Sequence, residues 1–172
     1  MLNSSHTNPN IIKALWRQQQ ELLKKSPEYV TPIINPEDPL DIQFDLEGPK
    51  ATPYECGIFR VKLVRTPEFP YTAPKGIFIT KIFHPNIDFS NGEICFELLK
   101  DKWTPQWSLE SVCVALFNLL SNPNADSPLN CDCGNLIRAH DFLGYTTMAK
   151  MYTIEYSTNF QPIKKKKKKK NQ

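Results

Sequence analysis

Residues 84–107 read HPNIDFSNGEICFELLKDKWTPQW, and the rest of the chain can be understood outward from them. They contain a single cysteine, Cys95, among turn-forming and aromatic residues. The dipeptide Asn91-Gly92 is a strong turn signal, and it predicts that Cys95 leaves the turn with its sulfur near the surface. A surface thiol beside the amide of Asn86 indicates acyl-transfer chemistry, because a thiolate is both a good nucleophile and a good leaving group.

The segment before this stretch, Gly76–Phe83, reads GIFITKIF and is rich in β-branched and aromatic side chains. Such a run predicts a half-buried strand that delivers His84, Pro85 and Asn86 to its end. Because Pro85 has no backbone N–H for a sheet ladder, we expect the chain to turn at that point.

Several motifs at a joint spacing resemble the ubiquitin-conjugating enzyme family. They are HPNI, NGEIC, WTP and a helix ending in NP, with EGP, TPYECGIF and FPYTAPK upstream. The resemblance covers about residues 10–155, and the joint spacing is far more specific than any single motif. The C-terminal segments DSPLN, GNLIR and MAKMY are most similar to the peroxisomal, peroxin-type branch of the family.

The resemblance implies an α+β domain with an N-terminal helix, a four-stranded antiparallel meander, an active-site loop, a central helix and C-terminal helices. Apolar spacing and turn residues agree, and the central helix is expected between Ser108 and Pro123. The strands are predicted at 29–34, 40–46, 57–64 and 76–83, and the last helices at 132–139 and 141–152. We expect a flexible N-terminus over 1–9, a catalytic domain over 10–157 and a disordered lysine-rich tail over 158–172.

The chain has 172 residues, 40% of them hydrophobic, and a net charge of +3. It contains no apolar run near the ~20 residues that a bilayer span needs. Removing the seven lysines at 164–170 from the net charge leaves −4 for the remainder. The basic character therefore belongs to the tail, and no nucleic-acid partner is expected for the domain. Without a visible signal peptide, we expect a soluble, cytoplasmic domain.

The chain has five cysteines, and without a secretion signal they predict a reducing compartment and no disulfide framework. Cys113 falls in a helical apolar pattern and is expected in the core, while Cys56 lies in a predicted turn. Cys131 and Cys133, with His140, lack the ligand spacing of a zinc site. We therefore expect no metal and no cofactor.

The resemblance assigns roles around the thiol. Cys95 would accept the C-terminal carboxyl of ubiquitin as a thioester from the activating enzyme. Asn86 would either donate a hydrogen bond to the oxyanion or tie down the loop beside Cys95, and both alternatives stay open. Asp126 and Ser127 stand at the gate to the cysteine, where a carboxylate would orient an attacking lysine. His84 is expected to hold the loop and not to act as a general base.

Two docking surfaces also follow from the resemblance. The groove for a RING-type ubiquitin ligase is expected to comprise Tyr71, Pro74, Trp103, Thr104 and Pro105. Local packing on the strand below is the alternative for Tyr71, and a core position is the alternative for Trp103. Lys13 and Arg17 on the outward face of the first helix suit docking of the ubiquitin-activating enzyme, although a solvated helix face explains them as well.

We therefore expect a transferase that passes ubiquitin from Cys95, with a RING-type ligase, to lysine or cysteine of a protein substrate. The peroxin-type resemblance implies peroxisomal import receptors as substrates. It also implies a peroxisomal membrane anchor protein as a partner, and a peripheral location on the cytosolic face of the peroxisomal membrane. The alternative within the family is a general cytosolic or nuclear conjugating enzyme for protein degradation.

Two alternatives lie outside the family's activity. A cysteine hydrolase needs a histidine within hydrogen-bond reach of the sulfur, and His6, His84 and His140 are poorly placed for that. A binding module could act through the lysine tail, where an anionic membrane, self-ubiquitination and no specific role all stay open.

Overall fold

The computed structural model of the protein describes residues 8–95, 99 and 102–158. The elements in chain order are α1 (Pro9–Lys25), β1 (Val30–Ile33), β2 (Ile42–Glu47), β3 (Ile58–Val64), β4 (Lys75–Phe78), α2 (Leu109–Ser121), α3 (Cys131–Arg138) and α4 (Phe142–Tyr156). This order confirms the predicted α+β architecture. Of the predicted flexible N-terminus (1–9) and lysine-rich tail (158–172), residues 1–7 and 159–172 lie outside the described residues.

Helix α1 begins where its capping residues predict. The side chain of Asn8 accepts a hydrogen bond of 2.9 Å from the backbone N–H of Asn10, and Pro9 occupies the first helical turn, where no N–H is required. Helix α1 therefore starts at Pro9, one residue before the first residue of the predicted catalytic domain. Leu15 and Leu22 are buried on the inner face of α1 and join the hydrophobic core.

The four strands form an antiparallel meander in the order β1-β2-β3-β4. In its register Phe44 faces Val61, and Val61 faces Phe78. These three side chains are buried, because alternate residues of each strand point to the helix-covered face of the sheet. The opposite face is polar, with a 2.9 Å contact between Arg60 Nε and Asp45 Oδ1.

The predicted strand over Gly76–Phe83 is wrong in its second half, since β4 ends at Phe78. The backbone N–H groups of Ile79 and Thr80 both point to the carbonyl of Arg60, at 2.8 and 3.4 Å. Thr80 Oγ1 also accepts a 2.9 Å hydrogen bond from the Arg60 N–H. Two residues thus oppose one, which bends the chain as a bulge does. The bend carries the following residues into the core, where His84 is fully buried.

Helix α2 confirms both of its predicted ends. Ser108 Oγ accepts a 3.1 Å hydrogen bond from the Ser111 N–H, and the helix stops at Ser121, two residues before Pro123. Its buried residues are Leu109, Val112, Cys113, Leu116, Leu119 and Leu120. This apolar side packs over the sheet and leaves the C-terminal end of α2 beside the segment at 84–86, as the contacts below show.

Helix α4 is one turn longer than predicted and reaches Tyr156. The extra turn is stabilised by aromatic contacts, because Phe89 lies 5.0 Å from the Tyr152 ring and 6.5 Å from the Tyr156 ring. The Lys81 ammonium stands 5.6 Å from the centre of the Tyr156 ring. Among the described residues, no helix is both long enough and apolar enough to cross a bilayer.

Candidate active site

The turn that precedes Cys95 is built by one carboxylate and one glycine. Asp88 Oδ1 accepts hydrogen bonds from the N–H groups of Ser90 and Asn91, at 2.7 and 3.3 Å. Gly92 has φ 75°, and a Cβ at this position would lie 2.0 Å from the Phe78 carbonyl oxygen. Only glycine combines this backbone conformation with so close an approach. The Asn91-Gly92 turn is therefore present as predicted.

The residues after the turn are clamped on both sides by backbone hydrogen bonds. The N–H of Ile94 donates to the carbonyl of Gly76 in β4, at 3.2 Å, and the N–H of Cys95 donates to the carbonyl of Asn86, at 2.8 Å. Cys95 is half-buried. Its backbone is thus fixed while its side chain stands at the rim of a cleft.

Asn86 joins this region to the segment after α2. Its Nδ2 donates to the Asn124 carbonyl at 2.8 Å, and its Oδ1 accepts from the Asn124 N–H at 2.9 Å. The residue is only 6% exposed. Because the amide nitrogen of Asn86 carries two hydrogens, the second one remains available after the first is donated to Asn124. The geometry thus supports both roles expected for Asn86.

His84 holds the same segment from within the core. Its Nδ1 accepts a 3.1 Å hydrogen bond from the Asn86 N–H, so its Nε2 carries the proton and donates to the Leu119 carbonyl at 3.1 Å. Burial lowers the pKa of His84 to about 4, because the charged imidazolium is poorly solvated there. The neutral, doubly bonded ring acts as a loop-holding residue, as predicted.

The segment at 126–130, which we call the gate, is hydrogen-bonded to the backbone beside Asn86. The Pro85 carbonyl accepts hydrogen bonds from the N–H groups of Leu129 and Asn130, at 2.8 and 3.2 Å. Leu129 lines the cleft beside Cys95. Asp126 and Ser127 are exposed and do not line that cleft. The structure therefore brings the gate to the site through Leu129, a residue that the sequence did not single out.

The cleft beside Cys95 has a volume of about 560 Å³. Tyr71, Pro74 and Trp103 line it, so part of the predicted ligase groove and the thiol share one depression. Tyr71 is 80% exposed, which excludes the alternative of packing on the strand below. Trp103 is half-buried and donates from Nε1 to the Pro70 carbonyl at 2.8 Å, which ties the two loops together.

The other predicted docking residues lie away from the cleft lining. Thr104 and Pro105 are exposed on the loop after Trp103. Lys13 and Arg17 are exposed on α1, where Arg17 Nε lies 3.4 Å from Glu21 Oε1. An ion pair between two exposed side chains is weak, so Arg17 can exchange Glu21 for a partner on this face of α1.

The model of the family described as ubiquitin-conjugating enzyme matches residues 14–153. The chain belongs to the ubiquitin-conjugating enzyme family. It is therefore a transferase of the ubiquitin pathway, whose members act with ubiquitin, an activating enzyme and a ligase. The E2 domain of a Toxoplasma gondii ubiquitin conjugating enzyme shares this fold, with a TM-score of 0.76, 27% identity, and coverage of 85% of this chain and 98% of that one.

Curated relatives from the family include peroxins and other ubiquitin-conjugating enzymes. Protein PEROXIN-4 of Arabidopsis thaliana is 49% identical over 63% of this chain and 69% of its own length. Ubiquitin-conjugating enzyme E2 pex4 of Dictyostelium discoideum is 50% identical over 64% of this chain and 74% of its own length. Ubiquitin-conjugating enzyme E2 S of Nematostella vectensis is 43% identical over 88% of this chain and 73% of its own length.

The remaining cysteines of this family member differ sharply in their surroundings. Cys113 and Cys133 are buried, and burial raises the pKa of each thiol to about 12. Cys131 is exposed at the start of α3, and Cys56 is half-buried in a turn with φ 71°. All five cysteines belong to the described part of the chain, and none of them forms a disulfide.

Acidification should destabilise the protein through His84. The folded pKa of about 4 lies below the ordinary value of 6.5, so the unfolded state binds the proton first. The contribution of neutral His84 to the free energy of unfolding is complete above pH 6.5. As the pH falls towards 4 this contribution is lost, by up to about 3 kcal/mol. Urea unfolding at pH 7.5, 5.5 and 4.5 measures this change.

His84→Gln is the matched variant, because glutamine offers a donor and an acceptor but does not titrate in this range. Its free energy of unfolding should be lower at pH 7.5 and should vary less between pH 6.5 and 4.5 than that of the wild type. Identical pH slopes for the two proteins would show that His84 is not the titrating group.

Proposed function

We propose that this transferase carries ubiquitin as a thioester on Cys95 and, with a RING-type ligase, passes it to lysine or cysteine of a protein substrate. The observation that supports this most strongly is the position of Cys95. It follows a turn that requires glycine, its backbone is clamped to Asn86, and its side chain lies at the rim of a 560 Å³ cleft. In this proposal residues 10–157 form the catalytic domain.

Loading and discharge are both acyl transfers at one sulfur. The Cys95 thiolate attacks the thioester of the activating enzyme, the ubiquitin acyl group moves to Cys95, and the thiolate of the activating enzyme leaves. An acceptor amine or thiol then attacks the new thioester, and the Cys95 thiolate leaves. Each attack passes through an oxyanion, towards which the second Nδ2 hydrogen of Asn86 donates in this proposal. Asp126 and Ser127 are exposed and do not line the cleft, so in this proposal they orient the acceptor before it enters the cleft.

Peroxisomal work is the finer part of the proposal. The two relatives whose names mark them as peroxins are 49% and 50% identical over 63% and 64% of this chain, and they support a peroxisomal role. For that role we propose import receptors as substrates and a peroxisomal anchor protein as a partner. The enzyme would then act peripherally on the cytosolic face of the peroxisomal membrane. The E2 S relative, 43% identical over 88% of the chain, is a conjugating enzyme not named as a peroxin, so the second candidate is a general conjugating enzyme, which we propose would serve protein degradation.

Docking surfaces complete the proposal. Tyr71 and Pro74 on one loop, and Trp103 and Pro105 on the other, are proposed as the ligase groove with Thr104. The hydrogen bond from Trp103 to Pro70 supports this groove because it holds the two loops together. The exposed cations Lys13 and Arg17 of α1 are proposed to meet the activating enzyme.

Replacing Cys95 with serine tests the thioester. With ubiquitin, ATP and activating enzyme, the wild type should give an adduct that thiols cleave on a non-reducing gel. Cys95→Ser should give an oxyester that resists thiols and is cleaved by base. Cys131→Ser is the matched control, since Cys131 is the exposed cysteine of α3, and it should charge normally. A thiol-sensitive adduct on Cys95→Ser would assign the thioester to another cysteine.

Asn86→Ala should slow discharge more than loading. Loss of an oxyanion donor typically costs about a hundredfold in rate, and we expect this loss in transfer to free lysine, with loading near normal. Asn122→Ala is the control. It removes one exposed side-chain hydrogen bond, from Asn122 to the Asn118 carbonyl, at the C-terminal end of α2. Single-turnover gels measure both steps.

Thermal unfolding of Asn86→Ala separates chemistry from structure. The variant also loses the tie to Asn124, and leaving these backbone groups without partners costs about 1–3 kcal/mol. Equal losses in loading and discharge, together with a lowered Tm, would mean that Asn86 is structural and not an oxyanion donor.

Tyr71→Ala tests the ligase groove. Removing a central interface aromatic costs about 2 kcal/mol, or roughly thirtyfold in affinity, so stimulation of discharge by a RING domain should disappear at limiting concentrations. Charging by the activating enzyme should be unchanged. Phe142→Ala removes an aromatic that is 56% exposed on α4 and should leave stimulation intact. Undiminished stimulation of Tyr71→Ala would refute the groove.

A further inference from the structure

The outer face of α4 is largely apolar although it is exposed. Four residues at i, i+4, i+8 and i+11 form one stripe about 16 Å long on this face, namely Leu143, Thr147, Met151 and Ile154. Leu143 is 78% exposed and Ile154 51%. The opposite side of the helix is buried and consists of Tyr145, Ala149 and Thr153. Helix α4 thus has apolar side chains on both sides, a pattern typical of a helix that is covered on both.

The exposed faces of two helices in this fold differ in character. The outer face of α1 carries the charged residues Lys13, Arg17 and Glu21, as expected for a face in contact with water. The fifteen residues of α4 include only two charged ones, Lys150 and Glu155. A contiguous exposed apolar stripe with so few charges around it is typical of an interaction surface.

The lysine run at 164–170 follows α4 closely in the chain. The N–H of Thr158 donates to the Ile58 carbonyl at 3.1 Å, which fixes the end of α4 to β3. Lys164 comes six residues after Thr158, and six residues can span up to about 20 Å. Because a helix with its side chains is about 10–12 Å across, the lysines can reach any surface on which the stripe lies.

Charge is distributed unevenly between this end of the chain and the rest. Residues 141–172 contain eight lysines against Asp141 and Glu155, a net charge of +6, while the whole chain carries +3. Residues 1–140 therefore carry a net charge of −3. An anionic surface attracts the end that contains α4 and repels the remainder. Electrostatics thus turns the apolar stripe towards such a surface.

We propose that the α4 stripe docks on an anionic lipid surface, where its apolar side chains enter the headgroup region and the lysines at 164–170 bind the lipid headgroups. This inference goes beyond the proposed function, which places the enzyme at a membrane through a protein anchor, and it does not rest on the thioester. Stable binding to a membrane takes two signals, because one apolar contact or one basic segment is marginal alone. This chain offers both within 28 residues of each other, from Leu143 to Lys170.

The apolar stripe decides between lipid and the other polyanion that a lysine run could bind. Nucleic acids attract lysines through their phosphates, but a phosphate backbone offers no apolar surface to cover Leu143, Met151 and Ile154. The boundary between headgroups and acyl chains offers both anionic and apolar contacts. A lipid surface therefore accounts for the helix face and the lysine run together.

Co-sedimentation of the full chain with vesicles tests this inference. We expect binding to vesicles of phosphatidylcholine and phosphatidylserine in a ratio of about 7 to 3, and at least about tenfold weaker binding to phosphatidylcholine alone. Replacing the seven lysines at 164–170 with glutamine should weaken binding to the mixed vesicles by a similar factor. High salt should weaken it as well, because added ions screen the lysines.

Leu143→Ser combined with Ile154→Ser tests the contribution of the stripe. This double variant should bind the mixed vesicles at least about tenfold more weakly, because the two largest exposed side chains of the stripe no longer leave water. Leu23→Ser is the matched control, since Leu23 is 52% exposed on α1, and it should bind as the wild type does. The double variant should keep the wild-type Tm, because both side chains are exposed.

A tryptophan placed in the stripe reports contact with the lipid directly. The fluorescence of Leu143→Trp, compared with that of the wild type, should be quenched by vesicles whose acyl chains are brominated. Leu23→Trp is the matched probe on α1 and should not be quenched.

The remaining outcomes would overturn the inference. Equal binding by the wild type and the double serine variant would mean that the lysines act alone. Binding that is absent, or that does not depend on phosphatidylserine, would exclude an anionic lipid as the ligand. A dimer detected by light scattering that the double serine variant dissociates would mean that a second copy of the chain covers the stripe. If the double variant has a lowered Tm, quenching of Leu143→Trp decides.

Discussion

The paired hydrogen bonds between the Asn86 side chain and the Asn124 backbone are the contact on which the site depends most. They belong to a continuous series that runs from the Leu119 carbonyl through His84 and Asn86 to the N–H of Cys95. Each buried bond adds only about 1 kcal/mol, but breaking one leaves a partner unsatisfied at greater cost. The series therefore sets the thiol at a fixed place relative to α2, and every proposal for its chemistry uses that placement.

Local chemistry explains which parts of the site were predictable from sequence. The turn at Gly92 was predicted from the Asn91-Gly92 dipeptide alone, and the structure shows why the signal is local: its positive φ and its close approach to Phe78 leave only glycine acceptable. The end of β4 was misjudged because it depends on Arg60, a residue in a different strand. Asn124 was missed for the same reason. Its partner, Asn86, lies 38 residues away in the sequence. The only local signal at Asn124 is its position just after the end of a helix.

The four other cysteines show how burial narrows the choice of nucleophile where composition cannot. Cys113 was recognisable from its apolar helical pattern, and burial raises its pKa to about 12. Cys133 belongs to the start of α3 and gave no such signal, yet it is equally buried. A thiol with so high a pKa is almost never ionised at neutral pH. What distinguishes Cys95 from the exposed Cys131 is therefore its cleft and its clamped backbone, and not accessibility alone.

The cleft beside Cys95 joins the proposed chemistry to the proposed docking surface. A thioester on Cys95 would be open to any amine or thiol that reached it, so the choice of acceptor has to come from the partner that holds the acceptor at the sulfur. Tethering does this by raising the effective concentration of one acceptor above that of all others. Because Tyr71 and Trp103 line the same cleft as Cys95, a ligase docked there would hold its substrate beside the thioester. Docking, more than the reactivity of the thiol, would then decide which acceptor is modified.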